Sequence, residues 1–136
     1  YKGVTAITPN HYEAARAVGM KVKDAGSVLK IGKALLKKLN CEGVLVTLGE
    51  NGMGLFQKDG SVTHIPTVAQ EVYDVSGAGD TVISAFTLAL ALGVNMKDAA
   101  YISNIAAGIV VAKVGIAVIT QKELIERLKY IWTLWA

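Results

Sequence analysis

The sequence is short of several features that would point elsewhere. Cys41 is its only cysteine, so no disulfide can form within the chain. A reducing, intracellular setting fits, and the cytoplasm is the expected compartment. No apolar stretch escapes interruption by Gly, Asn or Lys for long enough to cross a bilayer, so no membrane is expected as partner. The opening "YKGVTAITPN" has no basic segment followed by a long apolar one, and no signal peptide is expected. Charge is sparse, at 18% of residues with a net +3, and no Lys/Arg cluster forms a dedicated patch. Nucleic acid is therefore not an expected partner. The densest basic spot, Lys37-Lys38, closes a helical segment, where cations suit the helix dipole. His11 and His64 lack metal-ligand spacing and read as surface or half-buried residues. Cys41 precedes a strand and reads as packing rather than nucleophile.

What is present is a folded chain. Its 136 residues are 52% hydrophobic, which argues against disorder and allows one domain with a core. Residues 3–8 read as a short buried strand ended by Pro9. Residues 10–18 read as a helix with Asn10 as N-cap and Glu13 three places on. Residues 24–39 form an amphipathic helix with a stripe of Val28, Leu29, Ile31, Leu35, Leu36 and Leu39. "GVLVTLG" at 43–49 is a strand that runs into the Gly-rich "GENGMG". "GLFQ" and "VTHIP" form a hairpin turning at Asp59-Gly60. A helix then extends to Leu92, stopped by Gly93, and another covers 96–113. "VGIAVIT" reads as a short extended piece, and Thr120 and Glu123 are spaced as the capping box of a last helix. The alternation predicts an α/β fold with a mainly parallel sheet flanked by helices. So few strands would leave apolar helix faces uncovered.

The segment "YDVSGAGDT" at 73–81 carries the chemistry. It sets Gly77, Ala78 and Gly79 between Asp74 and Asp80, immediately before an apolar helical pattern. A helix start offers unpaired N–H groups and the positive end of the dipole, and glycines let an anion approach the backbone. Such a site suits a transferring phosphoryl group. A carboxylate beside an anion site is repelled unless it has a task, and the natural one for Asp80 is general base for an attacking hydroxyl. The alternative is that Asp80 caps the first turn and the glycines only turn the chain. On spacing alone both readings stand.

Three segments in order then narrow the choice. "DVSGAGD" resembles the second signature of the ribokinase (PfkB) family of carbohydrate kinases. "TPNHYEA" resembles the family's N-x-x-E element, and "TLGENG" its T-L-G-x-x-G strand-to-loop element. Within the family the wording of "PTVAQEVYDVSGAGDTVISAF" and "NIAAGIVVAKVGIAVIT" is similar to the branch acting on heptose 7-phosphate in ADP-heptose synthesis, which feeds lipopolysaccharide. The resemblance covers residues 3 to 128 and corresponds to the C-terminal half of the family fold, the nucleotide-binding portion.

The resemblance implies ATP and Mg²⁺ as cofactors, a phosphorylated sugar as acceptor, and roles for named residues. Asp80 is the implied catalytic base, and the amides of Gly77, Ala78 and Gly79 the anion hole. Asn10 and Glu13 would organise the water shell of Mg²⁺ and the ATP phosphates, with cap and box partner as the competing roles. Thr47, Gly49 and Gly52 would lie along the nucleotide, where a strand end and turn is the alternative. Asn104, Ala107 and Gly108 match a helix flanking adenine, against simple Ala/Gly packing. Asp74 would help bind a monovalent cation such as K⁺, or pair with a lysine, or cap a turn. Val75 stands where many members have Thr, a variation the heptose branch shares. The family's N-terminal half, with most sugar contacts and the lid, has no counterpart in these residues. Little activity of the 136 residues alone, and association with that half or with a second copy, are therefore expected. A dinucleotide-binding module is disfavoured, since "GENGMG" lacks G-x-G-x-x-G spacing.

Overall fold

The computed structural model describes residues 1–69 and 72–135, and the side chains of all of these except 134 and 135. The chain divides into two compact units, Tyr1–Pro66 and Thr67–Ala136.

The first unit runs β1 (Ala6–Ile7), α1 (His11–Val18), α2 (Ala25–Leu39), β2 (Gly43–Thr47), a 3-10 turn (Gly49–Asn51), β3 (Met53–Gln57) and β4 (Val62–Ile65). The strands lie side by side in the order β1-β2-β3-β4. β1 and β2 are parallel, joined by the two-helix crossover that parallel pairing needs. β2, β3 and β4 are antiparallel neighbours, Val44 opposite Phe56 and Phe56 opposite Val62. The mainly parallel sheet expected from the sequence is thus mixed here, because the links at 48–52 and 58–61 are too short for crossovers. β1 is also shorter than expected. Pro9 has no N–H for the ladder, although its carbonyl accepts from Thr47 N at 2.9 Å.

Alternation sorts the strand residues onto two faces. Val44, Val46 and Phe56 pack with Ile31 and Leu35 of α2 and with Ala14 and Ala15 of α1. Leu45, Leu55 and Ile65 point the other way and are fully buried. Gly32 lets α2 approach the sheet: a Cβ there would fall 2.3 Å from the Phe56 ring. Leu29, placed on the apolar stripe from the sequence, is 41% exposed, because two residues before Ile31 is nearly the opposite side of a helix.

The second unit contains α3 (Ala78–Ala91), α4 (Met96–Val111) and α5 (Gln121–Trp135). α3 and α4 pack together, burying Val82, Phe86 and Ala89 from one and Ala99, Ser103, Ala106 and Val110 from the other. Gly93, at φ +82°, makes the corner between them. "VGIAVIT" forms no strand: Val114, Ile116 and Val118 are exposed and pair with no described strand. The capping box of α5 is present, with Glu123 Oε2 accepting from Thr120 N at 2.8 Å. Glu123 also meets Lys113 Nζ at 2.6 Å, and that bond first, then those from Thr120, pulls its carboxyl down to about 2.

Candidate active site

In the first unit Asn10 ends the β1 connection and forms a lone parallel bridge with Thr47. The bridge sets the start of α1 beside the C-terminal end of β2, the edge of a parallel pair at which ligands are held in open α/β sheets. Asn10 Oδ1 accepts from Glu13 N at 2.9 Å, and Glu13 Oε2 accepts from Asn10 N at 2.8 Å. Both residues are therefore cap and box partner, as the competing reading had it. The box uses one polar atom from each side chain. Asn10 Nδ2 and Glu13 Oε1 have no partner among the described residues. Capping fixes these side chains and leaves those two atoms unbonded among the described residues.

Thr47 is half-buried, and its carbonyl meets His11 Nδ1 at 3.3 Å. The loop after it needs glycine twice, at Gly49 (φ +61°) and at Gly52 (φ +80°, ψ −127°). Leu48 N donates to Gly52 O at 2.8 Å and Gly52 N to Gly49 O at 3.1 Å, which closes the turn. The Gly49 amide makes no bond within the loop.

In the second unit Tyr73 N and Asp74 N donate to Val111 O, tying the segment to the end of α4. Asp74 Oδ1 accepts from Ser76 N at 2.8 Å. The Ser76 amide and hydroxyl, with a smaller contribution from the Gly115 amide, hold this carboxyl below its ordinary value. Asp74 joins no ion pair among the described residues, so of its readings turn-capping is the one with a visible partner.

Gly77 then takes φ +79° and serves as the N-cap of α3. Ala78 N bends back to Val75 O at 3.2 Å, while Thr81 N closes the first helical bond to Gly77 O at 2.9 Å. Among the described residues the amides of Gly77, Gly79 and Asp80 reach no acceptor. The open set is thus 77, 79 and 80 rather than 77, 78 and 79. The Asp80 amide was missed in the sequence, although the position labels of a helix start could have found it: the third helical N–H is always an orphan. The Asp80 side chain is exposed and bonds to no described residue.

On α4, Asn104 is buried and Ala107 and Gly108 are half-buried. A Cβ at Gly108 would stand 3.0 Å from Val68 Cγ2, so close packing accounts for that glycine. Gly108 also borders an open cavity of about 510 Å³ lined by Ala112, Lys113, Arg127 and Tyr130. Cys41 is buried, donates to Gly43 O at 3.3 Å, and has its thiol pushed up by that burial, which suits packing.

Among the described residues no three His, Cys, Asp or Glu side chains gather to hold a metal. A Mg²⁺ carried on phosphate oxygens and waters asks only one or two carboxylates of the protein. Glu13, hard oxygen donor with Oε1 open, fits that demand.

A family model described as pfkB family carbohydrate kinase matches residues 1–123. The chain belongs to that family. The bifunctional protein HldE of Geobacter metallireducens is 47% identical over 125 residues, 92% of this chain and 26% of that protein. HldE of Nitratiruptor is 48% identical over 126 residues, 93% of this chain and 27% of that protein. The chain thus spans about a quarter of the length of these relatives. Among solved structures, Arabidopsis thaliana ribokinase complexed with ribose and ATP matches with TM-score 0.85 and 27% identity, over 94% of this chain and 42% of that one. Escherichia coli phosphofructokinase-2 in complex with potassium matches with TM-score 0.86 over 96% of this chain and 42% of that one. At 18% identity it speaks to the fold alone. The pfkB match takes in both the Asn10–Gly52 elements and the start of α3.

Proposed function

We propose that this chain supplies the nucleotide-binding and base-bearing portion of an ATP-dependent sugar kinase. The observation that carries the reading is the start of α3: three amides and a carboxylate within one turn that have no partner among the described residues. A dipole-bearing helix start with open N–H groups stabilises the charge that develops on a transferring phosphoryl group. Asp80 takes the proton of the sugar hydroxyl. The hydroxyl oxygen bonds to the γ-phosphorus, the bond from that phosphorus to the ADP oxygen breaks, and ADP leaves with the electron pair.

The other residues position and screen. Asn10 Nδ2 and Glu13 Oε1 would hold the water shell of Mg²⁺, which when bound would neutralise phosphate charge. In the first unit Thr47, Gly49 and Gly52 would contact nucleotide, and in the second Asn104, Ala107 and Gly108 are the residues assigned to adenine. Asp74 would help bind a monovalent cation such as K⁺, in exchange for part of its bonding to Ser76. The Arabidopsis ribokinase, solved with ribose and ATP, supports a sugar and ATP as the substrate pair. The HldE relatives, together with the heptose-branch wording around Asp80, support heptose 7-phosphate as acceptor and heptose 1,7-bisphosphate as product. The work is cytoplasmic, and the missing contacts to the sugar come from the rest of the family fold.

The test is ADP release by the full-length protein with ATP, Mg²⁺ and a panel of sugars. Heptose 7-phosphate is expected to give the highest kcat/KM. ADP release with no sugar in the panel would remove the kinase reading, and a better sugar would remove the heptose assignment. A second reading, a self-associating nucleotide-binding piece, draws on the exposed Ile83 and Leu88 of α3 and Leu92 just after it. Light scattering of the 136-residue chain separates it: a monomer at all concentrations argues against association.

A further inference from the structure

The loop after β2 is held in an unusual way. Its 3-10 turn has no side-chain cap, and its own bonds are all between backbone groups. Its inner side borders a cavity of about 850 Å³, with Val28, Leu48 and Phe56 in the apolar part of the wall. Leu48 packs against the core and Gly52 is buried, but Gly49, Glu50 and Asn51 between them are exposed and no packing fixes them. Two side chains reach it from outside. His11 Nδ1 meets Thr47 O at 3.3 Å where the loop begins, and His64 Nε2 meets Asn51 O at 2.8 Å where it ends. These are the two histidines of the chain, and both spend a ring nitrogen on the same loop.

The geometry points to His64 as a positioning residue for the 48–52 loop, with His11 as the tether at its other end. The inference rests on reading that loop as the nucleotide loop. His64 stands on β4 opposite Gly54, on the sheet face that carries Phe56. Its ring spans from the third residue of β4 to the turn before β3, a link that no backbone bond of the hairpin makes. A carbonyl acceptor requires a proton on Nε2, which the Nε2–H tautomer and the imidazolium both supply. The tether holds the carbonyl of Asn51, and through the Leu48–Gly52 bonds the direction of the Gly49 amide, while the cavity beneath stays open.

Two variants of the full-length protein test this. His64→Leu removes the donor and keeps bulk; His64→Gln keeps a donor at the place of Nε2. The readouts are hydrogen exchange of the Asn51 and Gly52 amides without nucleotide, and the Kd for ATP with Mg²⁺. His64→Leu is expected to speed exchange and to weaken ATP by roughly two- to tenfold, the worth of one hydrogen bond. His64→Gln is expected to restore most of both. Unchanged exchange in His64→Leu overturns the tether, and so does a His64→Gln as impaired as His64→Leu. Faster exchange with unchanged ATP affinity overturns the positioning role. If the unaltered protein binds no ATP, the nucleotide reading fails by itself, and the exchange data alone uphold or overturn the tether.

Discussion

Asn10 shows how one side chain can satisfy its own helix and still present an atom outward. Its Oδ1 is spent on Glu13 N, its Nδ2 is not. N-x-x-E is the spacing of a capping box and also of the family element, so the sequence could not choose between them, and the structure makes the choice unnecessary. Substitution can separate the two uses. Asn10→Ser keeps a capping oxygen and lacks the amide nitrogen, so stability is expected to hold while ATP–Mg²⁺ affinity falls. Asn10→Ala is expected to lose both, with about 1 kcal/mol of stability gone in denaturant titration. A Ser variant that binds as well as the original would confine Asn10 to capping. Gly77 is the clearer residue. At φ +79° any side chain is strained, and Gly77→Ala is expected to cost about 1–2 kcal/mol and to disturb the amides beside it. What the sequence hid at this scale was which amides remain open, because the Ala78 to Val75 bond depends on a loop conformation that residue types do not fix.

At the scale of elements, the two caps read in the sequence, Asn10 and Thr120, made α1 and α5 legible, and the structure adds caps at Asp24 and Asn95. Asn10, Asp24, Asn95 and Thr120 stand just before the four helices whose first turns they bond. Strands were harder. "VGIAVIT" alternates like a strand, but alternation becomes a strand only where a neighbour offers a ladder, and none of the described strands does. Gly32 carries no signal in the sequence beyond its place in a helix. Its role appears only with the Phe56 ring lying on α2, and Gly32→Ala is expected to destabilise by about 1–3 kcal/mol in thermal or urea unfolding. α5 supplies a pH dependence. The carboxyl of Glu123 has its folded value below 4.5, so its bonds to Lys113 and Thr120 support the start of α5 above that pH and lose this support as pH falls toward about 2. Helix content followed by circular dichroism is expected to differ between the original chain and Glu123→Gln near neutrality and to converge in acid. Parallel acid titrations throughout would show that the bonds contribute nothing.

The whole molecule is where the sequence was both most and least informative. Three motifs in family order were enough to name the fold class and the kinase family, and the family match over residues 1–123 agrees. Sheet direction was less legible, since a hairpin following a parallel pair gives a mixed sheet whatever the class. α3 carries apolar residues off its buried face too, with Ile83 39% and Leu88 62% exposed, a pattern typical of helices deep inside larger folds. Together with the 42% share of the ribokinase chain covered, this supports the expectation that the 136 residues alone turn over little heptose 7-phosphate. Turnover by the isolated chain at the rate of the full-length protein would refute it. The central claim, that open amides at the start of α3 receive the phosphoryl group while Asp80 deprotonates the acceptor, meets its most direct test in Asp80→Asn of the full-length protein. A fall in kcat of roughly 10²-fold or more is expected, with the Kd for ATP unchanged. A kcat within a few-fold of the original would contradict that claim.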